Sequence, residues 1–286
     1  MEYMVKNSLL FITGLLFLSS CEDLDLKGML FRTSDSVEKR TEQSLQWNEE
    51  NGYETIIFPS ENTYRICIAG DSHVGTTNNL EKMLLVASDA STYAASVIVG
   101  DVTTGHQKDY ETLVDFLNRP EFGKVKLLSG NHDTYFNGWE WFQNYFHTSV
   151  YYFIVATNSA SDLHICLDSS SGTLGSKQLD WLGKTFKDKR DAYRHCFVYS
   201  HTNMFRTDDS QTPTGNMPLE ETYRLMNLFA TYRVNAVFMG HDHVREEIQL
   251  NKVNYITLDA ITDKHQSPSY LILTCSESFS YTFIDL

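Results

Sequence analysis

Five apolar segments of this chain end in the same way, with Gly or Ser followed at once by a side chain that can bind a metal ion. The segments are RICIAG, ASVIVG, KVKLLSG, HCFVYS and NAVFMG, and the residues after them are Asp71-Ser72-His73, Asp101, Asn131-His132-Asp133, His201 and His241-Asp242-His243. Ligands of open α/β sheets bind at the carboxyl ends of strands. A small residue there lets the chain turn sharply and approach a ligand closely. The repeated ending therefore predicts strands whose ends meet in one cleft.

The spacing of these polar residues favours a metal site. Residues i and i+2 of extended backbone point to the same side, which predicts that Asp71 faces the site with His73, and His241 with His243. Oxygen and imidazole ligands without thiolate suit Mn, Fe, Zn or Ni. A single ion would not need all seven of the candidate ligands, which are Asp71, His73, Asp101, Asn131, His201, His241 and His243. Two ions about 3.5–4 Å apart that share a carboxylate would use them all, as in two-metal phosphoryl hydrolases.

Strand-like and helix-like patterns alternate along the chain and predict a layered α/β domain. YYFIVAT and LHICLDS indicate a pair of strands, and VNYITLD, SYLILTC and SYTFIDL indicate consecutive strands that add antiparallel character. Pro59-Ser60-Glu61-Asn62 lies between ETIIF and TYRICIAG, which predicts a β-hairpin there.

The N-terminus has the pattern of a secretory signal. Residues 9–18 (LLFITGLLFL) form an apolar run too short to span a bilayer as a helix. The following Leu-Ser-Ser-Cys resembles the lipobox of bacterial lipoproteins, which implies cleavage before Cys21 and a lipid anchor on that residue; an ordinary secretory signal is the alternative. We therefore expect a signal peptide over 1–20, a tether with a short helix over 21–52, and the α/β domain over 53–286. The expected location is the bacterial cell envelope.

Composition narrows the partners and the redox chemistry. The net charge of -14 argues against binding to a nucleic-acid backbone, although it allows a small anionic substrate held by metal ions. The remaining cysteines lie in apolar strand-like runs without CxxC spacing and are interpreted as buried free thiols, with a disulfide left open: Cys67, Cys166, Cys196 and Cys275.

Taken in order, the motifs DxH, GD, GNHD, a lone His and GHxH resemble the calcineurin-like metallophosphoesterase family over about residues 65–260. This resemblance implies a four-layer α/β/β/α sandwich of the metallophosphoesterase type. It also implies hydrolysis of a small phosphorylated substrate, a phosphate mono- or diester, by a hydroxide activated between two divalent metal ions.

The resemblance assigns a role to each motif residue. The first metal would have the ligands Asp71, His73 and His243; the second would have Asn131, His201 and His241; Asp101 would bridge the two. His132 would contact phosphate and act as general acid, and Asp133 would orient its imidazole.

Residues outside the motifs are weaker candidates for substrate contact. His106 lies five residues after Asp101, and Arg206 is the only fixed positive charge in the polar loop after His201. Within the family, GDVT and GNHD are most similar to small phosphodiesterases related to cyclic-nucleotide enzymes. GNHD differs from the GNRD of lipid A precursor hydrolases, and GDVTT lacks the tyrosine of purple acid phosphatases. The alternatives are a catalytically inactive metal-binding envelope lipoprotein and a nuclease.

Overall fold

The computed structural model of the chain describes residue 30 and residues 35–74, 78–206, 209–213 and 216–286. For residues 206 and 209–213 it describes the backbone alone. The predicted signal peptide and Cys21 lie outside the described residues.

Two β-sheets form the centre of the molecule. The first has the strand order β1-β5-β6-β7-β10-β12-β11. Its strands are β1 (Thr55–Ile57), β5 (Tyr151–Ala156), β6 (Ser161–Leu167), β7 (Cys196–Ser200), β10 (Ala236–Met239), β11 (Glu246–Leu250) and β12 (Val253–Thr257). β6, β7, β10 and β12 run parallel to their neighbours in this series, so the loops after β7 and β10 lie at the same edge.

The second sheet has the order β14-β13-β2-β3-β4. Its strands are β2 (Tyr64–Ala69), β3 (Tyr93–Val99), β4 (Val125–Leu128), β13 (Ser269–Cys275) and β14 (Phe279–Asp285). β2, β3 and β4 are parallel, whereas β13 pairs antiparallel with both β2 and β14. The predicted antiparallel character of the C-terminal strands is thereby present. A small hairpin, β8 (Phe205–Arg206) with β9 (Asp209–Pro213), forms a separate two-stranded sheet.

Helices cover the outer faces of the two sheets. The α-helices with described bounds are α1 (Val37–Asn51), α2 (Asn78–Val86), α3 (Gln107–Leu117), α4 (Gly138–Phe146), α5 (Gly175–Lys189) and α6 (Leu219–Thr231), and short 3-10 helices span His132–Thr134 and Arg190–Ala192. One apolar core lies between the sheets, a second joins α5 and α6 to the first sheet, and a third joins α2, α3 and α4 to the second sheet. The predicted four-layer α/β/β/α sandwich is confirmed.

Helix α1 is part of this packed unit. Ser36 caps its N-terminus by accepting a hydrogen bond from the Lys39 amide (3.3 Å). Glu38 accepts hydrogen bonds from the amide and hydroxyl of Ser176 at the start of α5 (2.6 and 2.8 Å). The segment predicted as a tether with a short helix therefore contains a helix that packs on the domain, and the packed unit begins before residue 53.

The predicted hairpin around residues 59–62 is wrong. β1 pairs with β5 in the first sheet, whereas β2 pairs with β3 and β13 in the second. The turn residues carry the chain from one sheet to the other, because the apolar faces of both strands are buried in the core between the sheets. The strand pair predicted from YYFIVAT and LHICLDS is present as the antiparallel pair β5–β6.

The four cysteines of the domain are buried free thiols. Burial raises the pKa of Cys67 and of Cys166 to about 12, which keeps these thiols protonated and unreactive. Within the described part of the chain, no helix combines the length and the apolar character needed to cross a bilayer.

The alternation of buried and exposed side chains along β1 can be tested by substituting two neighbouring isoleucines. Ile56 is 4% exposed and points into the core between the sheets, whereas Ile57 is 75% exposed. We expect Ile56→Ala to lower the free energy of unfolding by about 2–5 kcal/mol, because it leaves a cavity. Ile57→Ala should change it by less than about 0.5 kcal/mol. Urea denaturation measures both, and equal effects would contradict this packing of β1.

Candidate active site

The loops after five strands meet at one edge of the sandwich. β2, β3 and β4 contribute from the second sheet, and β7 and β10 from the first. Hydrogen bonds join the loops directly: the amide of His132 donates to Asp101 Oδ1 (2.8 Å), and the amide of His241 donates to Asp71 Oδ2 (3.1 Å). The Gly240 amide donates to the carbonyl of His201 (2.9 Å). Each carboxylate is therefore fixed by a loop other than its own.

The backbone at these strand ends is strained. Positive φ angles occur at Asp71 (56°), His73 (41°), Asp101 (46°), His241 (77°) and His243 (56°). A non-glycine residue in this region costs about 1–3 kcal/mol and is concentrated at functional sites. Asp71 and His73 converge, as do His241 and His243, but the predicted reason is wrong: the backbone is turned into the left-handed region and is not extended.

One group of donors consists of Asp71, His73 and His243. The Nε2 atom of His243 lies 3.2 Å from Asp71 Oδ1 and 3.5 Å from the Nε2 atom of His73. One ligand atom from each residue falls within 4.8 Å of the others, a spacing that could hold a metal ion.

A second group consists of Asp101, His201 and His241, with Asn131 beside it. His201 Nε2 lies 3.3 Å from Asp101 Oδ2 and 3.0 Å from Asn131 Oδ1. Asn131 Oδ1 lies 2.9 Å from His241 Nδ1. Asp101 Oδ2 is also 3.8 Å from His73 Nε2, so this one oxygen lies between the two groups. The structure thus brings all seven predicted ligands together.

The charges of the site fit a cation. Asp71 and Asp101 are almost fully buried. Burial is the largest single influence and would raise their carboxyl pKa values, but His201 and the other neighbouring histidines together outweigh it and lower both. Burial opposes protonation of His201, yet the two carboxylates raise its pKa to about 10, while burial lowers the pKa of His73 to about 4. Without a metal, the protonated His201 therefore compensates the two ionised carboxylates, and a divalent cation bound there would take the place of its proton.

Glycines allow the ligands to approach the backbone. A Cβ atom on Gly130 would lie 2.2 Å from Asp101 Oδ1, and one on Gly240 would lie 2.4 Å from Asp71 Oδ2. Any side chain at these positions would displace a carboxylate. The glycines before Asn131 and His241 are thus steric requirements of the site.

The role predicted for Asp133 is wrong. Its carboxylate accepts hydrogen bonds from the amides of Val102 (3.0 Å), Thr103 (2.9 Å) and Gly130 (2.8 Å). It thereby ties the loop after β3 to the loop after β4, and its described hydrogen bonds do not include the His132 imidazole. Burial and the nearby Asp101 charge raise the pKa of Asp133 to about 7. Asp133 holds the backbone that carries Asp101 and Asn131.

His132 itself borders the cleft. Its Nε2 atom lies 4.0 Å from Asp101 Oδ2, and its ring meets that of His73 edge-on at a centroid distance of 4.7 Å. Its side chain keeps 15% of its surface exposed. It also forms a possible ligand group with His73 and Asp101.

Two positioning contacts have no signal in the sequence motifs. The hydroxyl of Tyr135 accepts a hydrogen bond from Asn131 Nδ2 (3.1 Å), which leaves Asn131 Oδ1 facing His201 and His241. Asn203 Nδ2 donates to Asp242 (2.7 Å) and joins the loops after β7 and β10.

The two weaker candidates lie at the periphery. His106 precedes α3, is exposed, and stacks on Phe136 at a centroid distance of 3.9 Å. It belongs to none of the possible ligand groups found among the described residues. The backbone of Arg206 lies in β8. Substrate contact by either residue stays a prediction.

Comparison with known proteins identifies the family. A sequence model of the calcineurin-like phosphoesterases matches residues 64–245. None of the curated proteins matches the chain.

Solved structures share the fold. GAP50, the anchor in the inner membrane complex of Plasmodium, has a TM-score of 0.60 and 12% identity over 78% of this chain and 85% of that chain. A Staphylococcus aureus protein provisionally named a 5′-nucleotidase, solved with α-ketoglutarate, has a TM-score of 0.51 and 16% identity over 77% of this chain. The match spans about half (54%) of that structure. At these identities the likeness shows the fold alone.

The steric role of Gly240 gives a test that needs no substrate. Gly240→Ala should weaken Mn²⁺ binding to metal-free protein by about 10–100-fold, because the new methyl group displaces Asp71. Gly183→Ala in α5 is the matched control, since nothing lies within 4 Å of its Cβ position. It should leave binding unchanged and stabilise the helix by about 0.5–1 kcal/mol. Calorimetric titration measures the affinities. Equal affinities for the two variants would contradict the assignment of Asp71 as a ligand.

Proposed function

Because this chain belongs to the calcineurin-like phosphoesterase family, we propose that it is a hydrolase that cleaves a phosphate mono- or diester with the help of two divalent metal ions. The observation that carries the proposal is the convergence of two donor groups, with Asp101 between them and His132 beside them, at one edge of the sandwich.

The proposed ligands divide between two ions. Asp71, His73 and His243 would hold one, and Asn131, His201 and His241 would hold the other, with Asp101 shared. When bound, cations at such a site lower the pKa of water and offset negative charge on phosphoryl oxygens. Mn, Fe, Zn and Ni all suit these ligands.

His132 is the proposed general acid. The hydrogen bond from its amide to Asp101 Oδ1 fixes its backbone to the shared ligand, while its partly exposed ring faces the cleft. Protonated, this imidazole would give a proton to the leaving oxygen as the ester bond breaks. Asp133 would support both residues by holding the two loops together.

A non-catalytic role is the main alternative. GAP50, which shares the fold, is described as a membrane-complex anchor. The full set of donors and His132 favours the enzyme, because an anchor needs no proton donor beside a metal site. A nuclease is disfavoured by the net charge of -14.

The general-acid assignment predicts a dependence on the leaving group. His132→Ala should lower kcat by about 10²–10⁴-fold for a diester with an alkoxide leaving group. The loss should be at least about tenfold smaller for bis-p-nitrophenyl phosphate, because p-nitrophenolate leaves without a proton. Steady-state kinetics with added Mn²⁺ measures both losses.

His147→Asn is the matched control, since His147 stacks on Trp47 at a centroid distance of 5.1 Å and belongs to none of the possible ligand groups among the described residues. A chelator should abolish turnover in all active variants. Turnover that survives metal removal would contradict the hydrolase proposal. An equal loss on both substrates would contradict the role of His132.

We also propose that Cys21 carries a lipid anchor that holds the enzyme to the bacterial cell envelope. The support is the Leu-Ser-Ser-Cys sequence after the apolar run of residues 9–18. Cys21→Ser should move the protein from the membrane fraction to the soluble fraction and abolish labelling by a fatty-acid analogue, because the acyl chains supply the membrane affinity. Ser20→Ala keeps a small residue and should stay in the membrane fraction. Membrane retention of Cys21→Ser would exclude the anchor.

A further inference from the structure

Arg40 of helix α1 makes a buried ion pair with the loop after β6. Its Nε donates to Asp168 Oδ2 (2.8 Å) and its Nη2 donates to Asp168 Oδ1 (3.2 Å). Nη2 also donates to the hydroxyls of Ser170 and Ser171 (2.9 Å each). The side chains of Arg40 and Asp168 are 1% and 0% exposed. A buried guanidinium that is paired in this way has a fixed orientation, because the planar group forms two hydrogen bonds with the two carboxylate oxygens.

The same loop holds the residues on both sides of His201. Ser169 follows Asp168, and its Oγ accepts hydrogen bonds from the amide of Thr202 (2.9 Å) and the hydroxyl of Ser200 (3.0 Å). Its carbonyl accepts the hydroxyl of Thr202 (2.7 Å). His201 therefore lies between two residues that Ser169 fixes, and its Nε2 points toward Asn131 and Asp101.

A continuous set of buried contacts thus runs from helix α1 to the candidate metal site. Arg40 is hydrogen-bonded to Asp168, and the adjoining Ser169 is hydrogen-bonded to Ser200 and Thr202. Ser200 and Thr202 are the residues on either side of His201. Helix α1 lies outside the matched family region of residues 64–245, so the first contact is a feature of this chain outside that region.

We propose that Arg40 is a positioning residue for the metal site, which acts through Asp168 and Ser169 on the backbone of His201. Docking of α1 then sets the affinity for the ion that His201 would bind. This inference rests on the proposed function, because it requires that His201 is a metal ligand.

The test compares two buried ion pairs in the full chain. Arg40→Met removes the pair beside the site, and Arg194→Met removes the Arg194–Asp162 pair at the starts of β6 and β7, where the side chains are 13% and 0% exposed. Both variants should lose thermal stability. Only Arg40→Met should weaken Mn²⁺ binding at one of the two sites, by about 10–100-fold, as expected when a group supporting a ligand is lost. Arg40→Lys should restore part of the affinity.

Ser169→Ala keeps helix α1 docked and removes the hydroxyl that holds Thr202 and Ser200. It should also weaken Mn²⁺ binding at one site, with a smaller loss of stability. Calorimetric titration of metal-free protein, well below the melting temperature of each variant, gives the affinities. Equal binding by Arg40→Met and Arg194→Met, or unchanged binding by Ser169→Ala, would overturn the inference. If Arg40→Met does not fold, Ser169→Ala decides. A wild-type chain that binds no Mn²⁺ would instead refute the proposed function.

Discussion

The site depends on two buried carboxylates, each of which accepts a backbone hydrogen bond from a loop other than its own. Asp71 accepts the amide of His241 and Asp101 accepts the amide of His132, so each is held by backbone from another strand end. One oxygen of each group, Asp71 Oδ1 and Asp101 Oδ2, also lies close to imidazole nitrogens. Ionised groups in such a place require compensation by hydrogen bonds and positive charge. The nearby glycines have no Cβ atom, and nearby residues adopt a left-handed conformation. The backbone can therefore approach the two carboxylates closely and donate hydrogen bonds to them.

The two-sheet architecture makes this arrangement possible. Ligands come from both sheets, so their relative position is set by the apolar core between them, in which large side chains such as Phe153, Phe197 and Phe238 are fully buried. A close-packed core of this kind resists displacement of the strand ends. Its burial also offsets the conformational strain of five left-handed residues, which a loosely packed loop could not sustain.

The order of the motifs in the sequence was enough to predict the layers and the seven converging side chains. It was not enough for details set by long-range contacts. ETIIF and TYRICIAG have the pattern of a hairpin, yet the two strands lie in different sheets and each turns its apolar face into the core between them. The left-handed backbone at Asp71 and His243 has no local signal, because the residues before and after do not require it. Asp133 looked like a partner of its neighbour His132, but it binds amides 30 and 31 positions away.

The central claim is that the strand-end loops form two adjoining cation sites. A crystal structure of the protein grown with Mn²⁺, with anomalous scattering measured at the manganese edge, tests it most directly. We expect two anomalous peaks, one among Asp71, His73 and His243 and one among Asn131, His201 and His241, with Asp101 touching both. A single peak, or peaks away from these residues, would contradict the account.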